Sequence, residues 1–275
     1  CADLLGQPLP LLEAAFDYAG DEAMVRAYAE GFACELHFER ERSAIGFAGA
    51  SLAASDNLSG SLFAAQLDNV WRQVYLNMNL QRAAFSLDGN LYRTRDQGRS
   101  RAGAIDTLAY SLQLKYRVGA QGFSLAYQRV HGDTPFDFVG GDSIYLANSI
   151  KYADFNGPGE RSWQARYDLD LAPFGLPGLS FMARYVSGRA IDGSHAPAGG
   201  AYNPLGADGR YRPLQGSGGK HWERDLDLRY VFASGPLKDL SLNVSHLSHR
   251  ANAAQAGDDI DRLYLIVEYP LKGSL

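Results

Sequence analysis

The sequence predicts an all-β protein: an antiparallel transmembrane β-barrel over residues 43–275, preceded by a short helical segment over residues 1–42. Two observations carry this. Apolar and polar residues alternate strictly, with period two, through most of the last 230 residues. The connections between the alternating stretches are themselves alternately short and long.

The alternation is plainest at Leu108, Tyr110, Leu112, Leu114, Tyr116 and Val118, which interleave with Ala109, Ser111, Gln113, Lys115 and Arg117. It returns at Trp163, Ala165, Tyr167, Leu169 and Leu171, set against Gln164, Arg166, Asp168 and Asp170. Period two is the signature of a strand whose two faces meet different surroundings. Stretches of about ten residues also match the length a tilted strand needs to cross a bilayer.

Taken in order, the first element differs from the rest. Met24, Tyr28, Phe32 and Leu36 recur every four residues, with Glu and Arg between them, which predicts amphipathic helix within Leu11–Arg40. Gly20-Asp21 divides it, with Asp21 placed to cap the second piece. Eleven strands follow, at 44–54, 59–67, 70–80, 84–94, 105–118, 122–130, 161–172, 179–188, 221–233, 240–250 and 261–271.

The short connections are 55–58, 81–83, 119–121, 173–178 and 234–239, and the long ones 95–104, 131–160, 189–220 and 251–260. Only Asp68-Asn69 is brief where a long loop is due. Outer-membrane barrels have this asymmetry, with tight periplasmic turns and long external loops. The asymmetry also decides how to read Ser143–Tyr152 (SIYLANSIKY), which looks like a strand in isolation. Making it a strand would move the long loop 189–220 to the short-turn side. Residues 131–160 are therefore one long loop, and a loop of that length is usually functional. Inside a barrel its natural place is folded inward.

Composition is compatible with this and excludes other classes. Hydrophobic residues are 46% of 275, and no run approaches the roughly eighteen apolar residues of a membrane helix. Mean hydropathy is −0.24, as expected where half of every strand is polar. Thirty-two aromatic residues (16 Tyr, 13 Phe, 3 Trp) suit interfacial girdles. A net charge of −5 argues against nucleic acid as a partner. Cys1 and Cys34 form neither a disulfide framework nor a zinc spacing. The chain does not begin with Met and reads as a processed or truncated product. His246 and His249 lie three apart in a strand, hence on opposite faces, and cannot share a metal. There is no Gly-x-Ser-x-Gly elbow, phosphate loop or dinucleotide-binding glycine pattern, so neither an enzyme nor a cofactor is expected.

Several segments are recognisable as well as patterned: DNLSGSLFAAQLDNVWRQVYLN (56–77), FSLAYQRVHGDTPFDF (123–138), GGDSIYLANSIKYADFNGPGERSWQARYDLDLAPFGLPGLSFMARY (140–185), HWERDLDLRYVFASGPLKDLSL (221–242) and LYLIVEYPL (263–271). Together they closely resemble the OprD family of substrate-specific outer-membrane porins, from about residue 49 to the end. The resemblance implies a monomeric barrel of the eighteen-stranded type that passes small carboxylate-bearing solutes, basic amino acids among them. Eleven strands fall short of eighteen, and the first seven family strands have no counterpart here. Eleven is also odd, so the first and last strands run the same way and cannot close by antiparallel pairing. Closure then needs further strands, a partner chain or a changed register; a complete barrel would be a monomer.

A pore selects by bore and by the charges on its lining. With Tyr, Leu and Trp facing lipid, parity places Lys115, Arg117, Arg166, Arg184 and Arg229 on the luminal face. Arginine at the lipid midplane would cost about 2–4 kcal/mol. Ordinary solvated charges on a polar wall would give the same pattern. The resemblance implies more: Arg229 matches a position in the family's column of basic side chains, whereas Asn243, Ser245 and Tyr264 stand where further arginines are expected. It also implies that Asp142 and Asp154 are loop acids at the constriction, although Gly140-Gly141-Asp142 reads equally well as a turn. Opposed charges of this kind would make a transverse field in which a zwitterion aligns. The expected function is facilitated diffusion of small carboxylate or zwitterionic solutes across the outer membrane of a Gram-negative bacterium, in contact with outer-membrane lipid. The alternative is a structural or adhesin barrel that binds a partner through its long loops.

Overall fold

The computed structural model describes residues 14–16, 36–38, 45–55, 57–138 and 144–270. Their strands are β1 (Ala14–Phe16), β2 (Leu36–Phe38), β3 (Ile45–Ser55), β4 (Leu58–Leu67), β5 (Trp71–Arg82), β6 (Phe85–Asp96) and β7 (Asp106–Val118). The series continues with β8 (Gln121–His131), β9 (Arg161–Asp170), β10 (Leu179–Asp192), β11 (Ser217–Val231), β12 (Ser241–Ala251) and β13 (Ile260–Glu268). From β3 to β13 each strand pairs antiparallel with the next in sequence, forming one continuous meander. β1 adds antiparallel to β3, and β2 adds parallel to β1. Among the described residues the sheet is open, with β13 at one end and β2 at the other.

The eleven predicted strands correspond to β3–β13. β11 begins four residues early, at Ser217, which shortens the preceding loop to 193–216. The helical expectation for 1–42 is corrected where it can be compared. Ala14–Phe16 and Leu36–Phe38 are strand, and the rest of that segment lies outside the described residues. Of the four residues that carried the helical spacing, Leu36 lies in a strand, and Met24, Tyr28 and Phe32 lie outside the described residues. Ile144–Tyr152 contains no strand and belongs to the 132–160 connection, as the loop asymmetry required.

The sheet is inside out relative to a water-soluble barrel. Leu76, Leu112, Leu125, Trp163, Leu228 and Leu265 are exposed, while Ser111, Gln128, Gln164, Glu223, Asp225 and Ser245 on the opposite parity are buried. In water such a face would be an aggregation surface; apolar surroundings are the condition under which it is stable. Aromatics gather near the short-turn margin: Phe85, Tyr116, Phe123 and Tyr167 occupy one register row across four strands. Their rings touch pairwise, with centroids 4.6 Å apart for Phe85–Tyr116 and 5.3 Å for Phe123–Tyr167.

The long connections share one side and bond to one another. Ala201 N–H donates to the Ala102 carbonyl (2.8 Å), Gly216 N–H to Ala254 (2.7 Å), and Asp192 N–H to Pro158 (2.9 Å). On the inner face an apolar cluster of Tyr75, Tyr92, Ala109 and Val130 receives Phe136 and Leu146 of the 132–160 loop. The inner surface of β5–β8 is therefore apolar near the long-loop side, where the period-two rule alone predicts a polar wall.

Candidate pore lining

The 132–160 loop is fixed by its backbone. The Tyr145, Ala147 and Asn148 amides donate to Tyr92 Oη (3.2 Å), Ser111 Oγ (2.9 Å) and Gln128 Oε1 (2.8 Å). Gln128 Nε2 in turn donates to the carbonyls of Asp154 and Phe155, both at 2.9 Å. On the far side, the Tyr152 and Ala153 amides donate to the two carboxylate oxygens of Glu223, at 3.1 and 2.8 Å. A loop without secondary structure would otherwise bury unpaired amides; these inward-facing side chains satisfy them.

A buried chain of polar groups closes the loop's end. His249 Nδ1 faces the Asp258 carbonyl (2.7 Å), His249 Nε2 faces His221 Nδ1 (2.9 Å), and His221 Nε2 faces Glu160 Oε1 (2.7 Å). A carbonyl only accepts, so His249 Nδ1 carries hydrogen. In the neutral ring Nε2 then accepts from His221 Nδ1–H. The last contact needs one further proton, held on His221 or on Glu160.

Five predicted cations, Lys115, Arg117, Arg166, Arg184 and Arg229, line one cavity of about 900 Å³ on the inner face, on the short-turn side of the loop. Register explains the convergence. Lys115 opposes Ser124, Ser124 opposes Arg166, Arg166 opposes Arg184, and Arg184 opposes Asp225, so a single row crosses five strands. The cations are not equivalent. Arg184 donates through Nε (2.9 Å) and Nη2 (2.6 Å) to one oxygen of Asp225. Only 12% of the Arg184 side chain is exposed and none of the Asp225 side chain. Arg166 is bidentate to Asp168 on its own strand, and Arg229 donates to Ser241 Oγ (3.0 Å). Among the described residues nothing pairs with Lys115 or Arg117.

Of the predicted acids, Asp142 lies outside the described residues. Asp154 Oδ1 accepts the Ser149 hydroxyl (2.6 Å) within its own loop. Three acids escaped the sequence reading: Glu223, Asp225 and Asp227 alternate along β11 on the face that carries Arg229. The signal was present in HWERDLDLR, since parity that places Arg229 inward places all three with it. Lys151 was also missed. It lies on the loop, where no periodicity operates, and its ammonium meets Asp227 Oδ1 and Ser245 Oγ.

Comparison with known proteins agrees with this geometry. The model of the outer membrane porin, OprD family, matches residues 21–273. Porin D of Pseudomonas aeruginosa is 47% identical over 240 residues, 82% of this chain and 52% of that protein. The porin-like protein GalP of Pseudomonas putida is 31% identical over 212 residues, 75% of this chain and 45% of its own length. The chain thus spans about half the length of these curated relatives. The crystal structure of OprD from Pseudomonas aeruginosa superposes with a TM-score of 0.75 at 46% identity, covering 84% of this chain and 60% of that one. That of Pseudomonas aeruginosa OpdK with vanillate gives 0.71 at 33% identity, covering 84% and 57%. An apolar outer face, a polar inner face crossed by a loop, and a family match over nearly the whole sequence converge: the chain belongs to the OprD family of outer membrane porins.

Proposed function

We propose that this protein forms a channel for facilitated diffusion of small carboxylate-bearing or zwitterionic solutes across the outer membrane. The barrel closes with strands additional to β3–β13, and the 132–160 loop folds inward to narrow the bore. The observation that carries the reading is the cavity below that loop, lined by Lys115, Arg117, Arg166, Arg184 and Arg229 together with Lys151. Fixed cations in a confined, weakly screened space draw carboxylates inward. Vanillate, the solute in the OpdK structure, is itself a carboxylate. The pairing pattern supports a sharper division of labour. Arg166, Arg184 and Arg229 are paired with Asp168, Asp225 and Glu268, which leaves Lys115 and Arg117 of the five to attract solute.

The test is the reversal potential of the membrane-extracted protein in planar bilayers under a salt gradient. Replacing Lys115 and Arg117 together with Gln should shift the channel toward cations and slow carboxylate uptake into proteoliposomes. Arg184 is a poor choice, because removing it strands the buried Asp225 at a cost of roughly 3–5 kcal/mol. An unmoved reversal potential in the Lys115/Arg117 variant would take these residues out of the conducting path.

A further inference from the structure

We propose that Lys151 is a specificity-determining residue: its ion pair with Asp227 is a charged crossbar, joining the loop to the wall formed by β11 and β12, that sets both the bore and the charge preference of the channel. The inference rests on the channel reading above and adds a residue and a partner to it.

The ion pairs in the cavity differ in what holds them. Arg166 and Asp168 lie on one strand, and Arg184 and Asp225 face each other across adjacent, hydrogen-bonded strands. Both pairs belong to the sheet and persist wherever the loop sits. Lys151 is on the loop, whereas Asp227 is on β11 and Ser245 opposes it on β12. This bridge therefore exists only while the loop is docked, and it helps to dock it.

Its place along the strand matters too. The loop backbone is anchored on Glu223 through the Tyr152 and Ala153 amides. Asp227 lies four residues further along β11 on the same face, about 13 Å away at the usual rise per residue. The Lys151 side chain extends from the loop toward the short-turn side, meets Asp227 there, and lines the same cavity as Lys115, Arg117 and Arg229. Its side chain is 29% exposed and that of Asp227 17%, so water screens the pair only in part. The Arg262 guanidinium lies 5.1 Å over the Tyr152 ring, holding the neighbouring loop residue against β13.

Lys151 and Asp227 are both charged groups at the narrowed section, and together they tie down the element that narrows it. Each property has its own readout. Charge acts on selectivity, so removing the cation and removing the anion must move the reversal potential in opposite directions. Tethering acts on the bore, so removing either partner must have the same effect on conductance. A residue that is only structural would not give opposed reversal potentials. One that is only a surface charge would not give a shared change in conductance.

The experiment compares the membrane-extracted wild type with Lys151→Gln, Asp227→Asn and the charge swap Lys151→Asp/Asp227→Lys in planar bilayers. Both single variants should raise single-channel conductance, with Lys151→Gln moving the reversal potential toward cation preference and Asp227→Asn toward anion preference. The swap should restore conductance to the wild-type level. The selectivity shifts should shrink between about 0.1 M and 1 M salt, as the Debye length falls from about 10 Å to about 3 Å. Where the swap does not assemble, the doubly neutral Lys151→Gln/Asp227→Asn variant decides; it should conduct more than wild type with a nearly unchanged reversal potential. Unchanged conductance in the single variants, shifts of the same sign, or failure of an assembled swap to restore conductance would overturn the crossbar while leaving the channel intact. A wild type that carries no current would instead remove the channel reading itself, and the crossbar with it.

Discussion

At residue scale, the loop anchor is built around the absence of one methyl group. Gly188 on β10 opposes both Ser162 and His221. A Cβ there would come within 1.9 Å of Glu160 Oε1 and 2.8 Å of Phe155. Gly188→Ala must therefore push the Glu160 carboxylate off His221. The cost is about 1–3 kcal/mol from overpacking, seen as a lower thermal midpoint and weaker amide protection across 155–160. An unperturbed loop in that variant would mean the Glu160–His221 contact does not hold it. Asp137 gives the same loop a pH response. Burial pushes its carboxyl above the usual range, while hydrogen bonds from the Tyr202 hydroxyl and the Phe138 amide offset this in part. An acid whose folded pKa is raised holds its proton more tightly when docked. Docking is then strongest below the ordinary carboxylate range and weakens as pH rises from that range through the raised folded value. Amide protection in residues 136–138, corrected for intrinsic exchange, should fall across that window. Asp137→Asn keeps an acceptor for Tyr202 and should flatten the response; a slope of equal size in the variant would assign it to another group.

At the scale of elements, the strands were legible because each side chain on them meets one of two solvents. Every predicted strand from 44–54 to 261–271 has its counterpart in β3–β13, displaced by at most four residues. The same parity that set Leu112 outward set Lys115 and Arg117 on the cavity side. Elements whose order comes from tertiary contacts were not legible. Phe136 and Leu146 carry no period, yet they seat the loop on Tyr75 and Tyr92. Lys151 finds Asp227 across 76 residues of sequence, which no local pattern can encode. The acids of β11 were a different omission, because their alternation was visible and only the cations beside them were followed. The outward leucines give the element-scale test. Leu112 is 51% exposed and Leu265 71% on the apolar face. Arginine at either should lower folding stability in vesicles by about 2–4 kcal/mol if the site is near mid-bilayer, and less toward the interface. Unchanged stability for both would mean that this face does not meet lipid.

At the scale of the whole molecule, sidedness follows from the meander. Consecutive antiparallel strands force every second connection to the same side, so the loops at 97–105, 132–160, 193–216 and 252–259 lie together. Their mutual hydrogen bonds, from Ala201 to Ala102 and from Gly216 to Ala254, are independent support. The turns at 119–120, 171–178 and 232–240 lie on the other side. Long loops in outer-membrane barrels are extracellular, which converts the geometry into an accessibility experiment. The reporter sites must tolerate a thiol. Gly200 does not, since a Cβ there would meet the Ala102 carbonyl at 2.7 Å, and Gly175 has a positive φ of 85°. Ala207 in the long loop and Ala172 in the short turn are exposed and carry a Cβ already. In a background with Cys1 and Cys34 replaced by serine, a membrane-impermeant maleimide added to intact cells should label Ala207→Cys and spare Ala172→Cys. Permeabilising the outer membrane should then expose the second site, which guards against a merely unreactive thiol. The opposite order would invert the barrel and put the cavity entrance on the external side. Equal labelling of both sites in intact cells would mean that the sheet does not separate two compartments, and its exposed apolar face would then need a protein partner rather than a bilayer.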